Sequence, residues 1–300
     1  MKLSDFQSFG KCIRDVDFDF ISPCLGNPPG TFLTFLEDEK YLDKITLNKN
    51  IRAVICDESK SNFFTSLDID IGVLISPTPR VTFFLIQNNL AKNTKREKKE
   101  PIIGKEAHIE KNAVIGKNVI IGENVYVGNN VVIHSDTIIG DNVVLRDGCI
   151  IGSSGFEVKR IGDGMLPIIH SGKTIIQDNV ELKEYVTVHK AVFEWDETII
   201  KTSSQVDSKA HISHGTKINE RVLIGAGAII LGNVIICNDT SIGAGSIISN
   251  RIIISEKSKV TIGSVVTKNT KKEEKVSGNF AIEHSIFLKK IKKSVEDNND

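Results

Sequence analysis

The chain has 300 residues, of which 40% are hydrophobic and 6% aromatic, and its 38 basic residues balance its 38 acidic ones. This length predicts about two domains, and the zero net charge argues against bulk attraction to nucleic acid. An odd number of cysteines without metal-type spacing argues against a disulfide framework; they are Cys12, Cys24, Cys56, Cys149 and Cys237. Without an apolar stretch of roughly 18 residues, we expect a cytoplasmic protein with no membrane span.

The N-terminal part, residues 1–90, has a mixed composition with strand-like apolar runs at 53–56 and 71–75. Short apolar runs of this kind are typical of buried strands. We therefore predict a small α/β domain, followed by a charged linker over residues 91–101.

A six-residue period dominates the rest of the chain. Every sixth residue from Ile200 to Val266 is Ile or Val, and the same period runs earlier from Ile103 to Ile151. A helix repeats its apolar face about every 3.6 residues and a strand every 2, so a period of six requires a coiling chain. The pattern predicts a parallel β-helix over residues 102–270, in which stacked coils share an aliphatic core.

The period is interrupted twice. Its register slips by one residue between Ile151 and Ile176, so we expect residues 152–173 to leave the coil as a loop. A second interruption falls at residues 193–196. Loops that break a regular scaffold often carry function.

The segment AHISHG, residues 210–215, is the most informative polar cluster. Ile212 is the inward residue of its hexad, which puts His214 at an outer corner. Because three hexads form one coil, residues 18 apart should stack about 4.8 Å from one another, with Asp196 below His214 and Gly232 above. A glycine N–H can hold an oxyanion, and an imidazole can take a proton near neutral pH.

Two other interpretations of His214 stay open: an ordinary surface histidine, and a metal ligand. His211 and His214 lie on either side of an inward residue, so a metal would need a further ligand, such as His170 or His189, from another chain. The run at 225–232 resembles a dinucleotide-binding glycine pattern, but it lies inside the repeat with no helix after it.

The C-terminal tail, residues 271–300, contains an amphipathic helix over 280–295. Its apolar face includes Ile282, Ile286 and Ile291, and its other face is basic; the lysines are Lys289, Lys290, Lys292 and Lys293. This basic face is either solvated or a docking surface for an acidic carrier.

Several segments resemble the hexapeptide-repeat acyltransferases of lipid A synthesis, above all the UDP-3-O-acylglucosamine N-acyltransferases. The similar segments span nearly the whole chain: FLTFLEDEKYLDK at 32–44, IGSSGF at 151–156, DETIIKTSSQV at 196–206, HISHG at 211–215 and VSGNFAIEH at 276–284. The resemblance implies a mainly β fold, a left-handed parallel β-helix with a small N-terminal α/β domain and a C-terminal helix.

The resemblance also implies roles for individual residues. His214 matches the family's general base, Gly232 the glycine whose N–H stabilises the oxyanion, and Asp207 a carboxylate that supports the base. His211 is a weaker catalytic partner. Phe35 and Tyr41 match the aromatic pair that holds a uracil ring, which makes 1–90 a nucleotide-sugar-binding domain. The remaining substrate-binding candidates are Asp38, Phe156, His170, His189 and Asn250.

The implied reaction is N-acylation of a nucleotide-linked amino sugar, carrying UDP or dTDP, for a bacterial surface glycan such as O-antigen. The acyl donor is acyl-CoA or an acidic acyl carrier protein, no cofactor or metal is held, and the site lies between β-helices of a homotrimer. Asp38, His189 and Asn250 differ from the residues usual in the family, which favours a sugar outside lipid A synthesis. The alternative is UDP-3-O-(3-hydroxyacyl)glucosamine N-acyltransferase of lipid A biosynthesis. A γ-type carbonic anhydrase and a non-catalytic solenoid are further alternatives.

Overall fold

The computed structural model describes residues 1–65, 70–94, 97–278, 281 and 283–296. Over these residues the chain forms a small α/β unit, a long stack of short parallel strands, and a helix near the C-terminus.

The small unit is built on a five-stranded sheet. Its strands are β1 (Lys11–Arg14), β2 (Phe20–Ile21), β3 (Phe32–Phe35), β4 (Ile51–Cys56) and β5 (Gly72–Ile75), in the spatial order β1-β5-β4-β3-β2. Only the β1–β5 pair among them is antiparallel. β4 is buried along nearly its whole length, as expected of a parallel strand covered on both faces.

Three α-helices accompany this sheet: α1 (Leu42–Leu47), α2 (Asn62–Thr65) and α3 (Pro79–Asn93), with short 3₁₀ helices at Leu3–Phe6, Glu39–Tyr41 and Glu58–Lys60. α3 begins with proline, whose fixed φ suits the first turn of a helix. It runs three residues into the segment that we predicted as linker.

The repeats form strands of two to four residues. In chain order before the first interruption they are β6 (Ile102–Ile103), β7 (His108–Ile109), β8 (Val114–Ile115), β9 (Ile120–Ile121), β10 (Tyr126–Val127), β11 (Val132–Ile133), β12 (Thr137–Ile139), β13 (Val144–Leu145) and β14 (Ile150–Ser153). A hairpin follows, made of β15 (Val158–Ile161) and β16 (Gly164–Pro167).

The repeat strands resume after the hairpin. They are β17 (Lys173–Ile176), β18 (Glu181–Leu182), β19 (Thr187–His189), β20 (Glu197–Ile200), β21 (Gln205–Val206), β22 (His211–Ile212), β23 (Lys217–Ile218), β24 (Leu223–Ile224), β25 (Ile229–Ile230), β26 (Ile235–Ile236), β27 (Ser241–Ile242), β28 (Ile247–Ile248), β29 (Ile253–Ile254), β30 (Lys259–Val260), β31 (Val265–Val266) and β32 (Lys275–Val276). The last helix is α4 (His284–Glu296).

The repeat strands build three parallel sheets, of nine, eight and eight strands over the described residues. Most neighbouring strands pair residues 18 apart, as Val206 with Ile224 and Ile224 with Ile242. Three strands therefore make one coil, and the predicted parallel β-helix is confirmed.

The aliphatic ladder forms the core of the β-helix. All twelve Ile and Val positions from Ile200 to Val266 are buried, with at most 7% of each residue exposed. The earlier block of the period, from Ile103 to Ile151, is not buried at its first position, where Ile103 is 49% exposed. β6 is the terminal strand of its sheet, so no further strand of that sheet covers it.

The corners of the β-helix use a backbone conformation that most residues avoid. Asn118, Asn124, Asn130 and Asn142 have φ between +54° and +59°. Asparagine tolerates this left-handed region better than most side chains do. The repeat thus places asparagine where the chain turns sharply.

Both predicted interruptions leave the coil. The first holds the β15–β16 hairpin and ends at β17, whose first residue is Lys173, so the expected loop is more ordered than we predicted. The second lies between β19 and β20, and around it Ile176 pairs with Ile200, 24 residues on instead of 18.

The two interruptions pack against α3 and join the small unit to the β-helix. The Gln87 amide donates hydrogen bonds to the backbone oxygens of Ile169 (3.1 Å) and Val192 (3.0 Å). The Phe83 and Phe193 rings lie 5.9 Å apart between centroids. The Trp195 indole N–H donates to the Ile21 carbonyl at 2.9 Å. The small unit is therefore held by buried contacts.

The tail helix differs from its predicted bounds. It begins at His284, and Ile286, Phe287 and Leu288 are each about half exposed (48–52%). Ile282 and the side chain of Ile291, two of the predicted apolar positions, lie outside the described residues.

Candidate active site

A cleft of about 760 Å³ opens between the small unit and the wall of the β-helix. The small unit contributes Phe35, Asp38 and Tyr41, and the wall contributes three more predicted residues, which are His214, Gly232 and Asn250. Residues separated by about 200 positions in the chain thus share one cavity. All these residues belong to one protomer, and the expected contribution of a neighbouring β-helix to the site stays a prediction.

His214 occupies the corner after β22, and Gly232 lies on the next coil beside its ring. A Cβ atom added to Gly232 would lie 2.7 Å from Cε1 and 2.8 Å from Nε2 of His214. No real Cβ approaches ring atoms so closely, so the ring requires a glycine at this place. The sequence prediction that these two residues stack is confirmed.

The His214 imidazole is favoured in its neutral form. Burial is the largest influence and lowers its pKa below the ordinary value, while the carboxylates of Glu157 and Asp196 act in the opposite sense. The cations Lys159 and Arg251 lower the pKa further. A neutral imidazole at the edge of a cleft can accept a proton from a substrate at neutral pH.

Three more histidines stand behind His214. The ring of His170 meets His214 edge to face, with 5.6 Å between centroids, and His189 meets His211 in the same way at 4.6 Å. His170 Nδ1 donates to the carbonyl of Ile168 at 3.0 Å. His170, His189 and His211 are not among the residues that line the cleft, and the predicted substrate contacts of His170 and His189 stay predictions.

Burial lowers the pKa of both His170 and His189 to about 4. Over the described residues, His170 Nε2 and His189 Nδ1 find no hydrogen-bond partner. Both nitrogens face Gly155, where a Cβ would lie 3.2 Å and 2.9 Å from them. Within the part of the chain that the structure describes, no group of three or more His, Cys, Asp or Glu side chains is arranged to hold a metal ion.

Two further predicted residues, Asp207 and Phe156, are not brought to the cleft. Asp207 lies at the corner after β21, where its carboxylate accepts a hydrogen bond from the Ser208 N–H. The carboxylates that act on His214 are instead those of Glu157 and Asp196. Phe156 is 89% exposed, so its ring faces solvent in this protomer.

The aromatic side of the cleft is formed by the segment from β3 to α1. The Phe35 ring packs on Phe83 of α3, with 5.0 Å between centroids. The Lys40 and Lys44 ammonium groups lie 5.1 Å and 5.9 Å from the centroid of the Tyr41 ring. The Asp38 carboxylate accepts from the Lys40 N–H and thereby caps the 3₁₀ helix at Glu39–Tyr41.

Sequence reasoning did not single out six charged residues that line the cleft, which are Glu37, Lys40, Arg80, Glu157, Lys159 and Arg251. Arg80 lies 3.8 Å from Glu37, and Lys159 pairs with Glu157. The only sequence signal for the hairpin pair was the break in the six-residue period, which located the segment without indicating that it folds back over His214.

Comparison with known proteins agrees with this geometry. The model of the bacterial transferase hexapeptide family (six repeats) matches residues 100–135 and 215–250. The chain is 37% identical over 89 residues to the UDP-3-O-acylglucosamine N-acyltransferase of Campylobacter lari, which is 29% of this chain and 27% of that protein. It is 36% identical over 75 residues to UDP-3-O-acylglucosamine N-acyltransferase 1 of Koribacter versatilis, 25% of this chain and 22% of that protein.

The matched stretches thus span about a quarter of the length of these relatives. Among solved structures, the UDP-N-acetylglucosamine acyltransferase of Bacteroides fragilis aligns with a TM-score of 0.55 at 21% identity, over 64% of this chain and 73% of that one. This likeness, with the repeats, shows the fold: a left-handed parallel β-helix. The helices that the structure describes include none with the length and apolar character to cross a membrane.

Proposed function

Since the chain carries the hexapeptide repeats of bacterial transferases, we propose that the protein transfers an acyl group from a thioester to the amino group of a nucleotide-linked amino sugar. One observation carries this proposal: a single cleft joins the His214–Gly232 pair to the aromatic residues Phe35 and Tyr41. An imidazole base beside a glycine suits acyl transfer, and an aromatic pair suits a nucleobase.

The proposed mechanism needs no covalent acyl-enzyme. The nucleobase of the acceptor stacks at Phe35 and Tyr41, and the amino group of its sugar reaches His214 across the cleft. As nitrogen attacks the thioester carbon, His214 Nε2 accepts the nitrogen's proton and the Gly232 N–H receives the developing oxyanion. The thiolate leaves and takes that proton.

UDP-3-O-acylglucosamine is the acceptor that the comparisons favour, because the relatives reported above carry that name. The lipid A alternative is therefore better supported than the broader surface-glycan reading that we preferred from the sequence. One specific observation favours the broader surface-glycan reading: Asn250 lines the cleft, beside Arg251. The lipid A enzymes usually have a histidine at the place that Asn250 occupies here.

The donor is proposed to be an acyl carrier protein or acyl-CoA. The described lysines of α4, Lys289, Lys290 and Lys292, are exposed and offer a basic surface to an acidic carrier. The protein is further proposed to act as a homotrimer, in which a neighbouring wall would guide the pantetheine arm.

The test is an assay of thiol release with UDP-3-O-acylglucosamine, offering the 3-hydroxyacyl group on carrier protein and on CoA in parallel. His214→Ala should lower kcat by about 10²- to 10⁴-fold, the range expected for loss of a general base. His108→Ala, which removes an exposed histidine on β7, is the control. Full activity in His214→Ala would contradict the proposed function.

A further inference from the structure

The carboxylate of Glu157 lies in the cleft beside the proposed base. Its Oε2 is 3.7 Å from His214 Nε2, and the two side chains are 21% and 12% exposed. Glu157 immediately precedes β15, so the inserted hairpin carries it and the six-residue repeat does not. The hairpin thus brings a negative charge to the atom that is proposed to accept the substrate's proton.

Glu157 already holds a primary ammonium group in this structure. The Lys159 Nζ pairs with Glu157 Oε1 and lies 4.6 Å from the centroid of the Phe84 ring on α3. An ammonium ion fits between a carboxylate and an aromatic face because both attract positive charge. The side chain of Lys159 therefore shows what kind of group the carboxylate accepts.

The other carboxylate near His214 is already committed to the wall of the β-helix. Asp196 Oδ1 accepts a hydrogen bond from Lys217 Nζ at 2.8 Å, and that ammonium also donates to the Glu197 carbonyl. Asp196 is thus paired with a lysine of the β-helix, Lys217 on β23, whereas Glu157 and Lys159 both belong to the inserted segment that holds the hairpin.

We propose that Glu157 binds the ammonium group of the acceptor and so makes the site select an amine over a hydroxyl. The inference rests on the proposed function and names the acceptor group that this site requires. An ammonium group offers a carboxylate a charge and several N–H donors, while a hydroxyl offers one neutral donor. A site built around a buried carboxylate therefore favours the amine.

Glu157 neither gives nor takes a proton in the proposed reaction. The bound ammonium first releases one proton to solvent. The nitrogen lone pair then forms the C–N bond, the carbonyl electron pair moves to oxygen, and His214 takes the second proton from nitrogen. When the oxyanion collapses, the C–S bond breaks and the thiolate takes that proton, which leaves amide, thiol and the one proton released at the start.

The decisive experiment measures binding without any acyl donor. The Kd of the intact protein is determined by calorimetry for UDP-3-O-acylglucosamine and for the same compound with a hydroxyl in place of the amino group. Glu157→Gln should weaken amine binding about 10- to 100-fold, as for loss of a charge-assisted hydrogen bond. Binding of the hydroxyl compound should change by less than about threefold, and Glu157→Asp should recover part of the amine affinity.

Asp163→Asn is the matched control, since it removes one negative charge from the exposed turn of the same hairpin and should alter neither Kd. The inference is overturned if Glu157→Gln leaves the ratio of the two Kd values unchanged, either because neither Kd changes or because both rise by the same factor. Because no donor is present, this result is independent of the His214→Ala assay, so the inference and the proposed function can fail separately.

A second readout is the pH profile of kcat/KM. The charged and titratable groups that act on or face His214 are Glu157, Asp196, Lys159, Arg251, His170 and His189. The Glu157 carboxylate is the largest influence that raises the pKa of His214. Its removal in Glu157→Gln should therefore lower that pKa and move the acid limb of the profile to lower pH. A purely structural role for Glu157 would leave that limb in place.

Discussion

Single residues in this protein show how burial keeps a histidine neutral and able to accept a proton. Three histidines of the site are shielded from solvent: His214, His170 and His189. In each, burial is the largest cause of a lowered pKa. His170 carries no role in the proposed chemistry, yet its ring supports the edge of His214. Neutral histidines beside the base therefore add no further charge to its surroundings.

Protonation of His170 should cost stability in mild acid. Its pKa is about 4 when folded and near 6.5 when exposed, so the unfolded chain binds the proton first. The contribution of neutral His170 to the free energy of unfolding is therefore complete above pH 6.5. It is lost as the pH falls towards 4, with a slope of about 1.4 kcal/mol per pH unit. Urea unfolding between pH 7.5 and 4.5 measures it, and His170→Asn should unfold with a shallower pH dependence.

The comparison with His170→Asn cancels the carboxylates that both proteins titrate over the same range. His108→Asn tests whether removing any histidine has the same effect, since His108 lies exposed on β7. Identical pH dependence in wild type and His170→Asn would show that the buried ring is not kept neutral by folding.

Among the elements, the β15–β16 hairpin determines the shape of the site. It leaves the β-helix, reaches α3, and delivers Glu157 and Lys159 to the cleft. Asn88 holds it in place: its amide N–H donates to the Pro167 carbonyl and its oxygen accepts from the Ile169 N–H, both at 2.8 Å.

Asn88→Ala should release the hairpin from α3. Loss of two largely buried hydrogen bonds lowers the free energy of unfolding by about 1–3 kcal/mol, which chemical denaturation measures. The KM for the amino sugar should rise in the same variant because Glu157 is no longer held at His214. Asn89→Ala removes an exposed amide one residue along α3 and is the control; if it matches Asn88→Ala, the hairpin contacts are not the cause.

At the scale of the whole molecule, apolar side chains remain on the outer faces of the β-helix. Leu223, Ile229 and Val265 are 52%, 37% and 53% exposed. Exposed apolar surface in a soluble protein often marks an interface with another subunit. These faces support the proposed homotrimer.

Sedimentation equilibrium should therefore give a mass of three times 33.0 kDa, or about 99 kDa, at micromolar concentration. Burial of outward aliphatic side chains between subunits is the expected driving force. A single species of 33.0 kDa over the same concentrations would contradict the trimer, while the cleft within each protomer would stand.

The sequence was sufficient for the β-helix because each coil repeats the environment of the one before. The ladder from Ile200 to Val266 predicts that His214 lies beside Gly232, and the geometry agrees. The hairpin's position could not be predicted, since it depends on contacts across about 80 residues, such as Asn88 with Pro167. The role of Asp207 stays a prediction: the repeat gives its corner, whereas the carboxylate that lies 3.7 Å from the base, that of Glu157, comes from outside the repeat.

The 18-residue spacing between paired strands has a consequence for evolution. Inserting or deleting a whole coil returns every later residue to the same corner and the same neighbours. A change that is not a multiple of six residues would turn the aliphatic ladder towards solvent unless the extra residues leave the coil, as they do at the two interruptions. Genes for this scaffold can therefore change length in the lower coils, between β6 and β13, in units of 18 residues, while the coils that carry His214 and Gly232 keep their geometry.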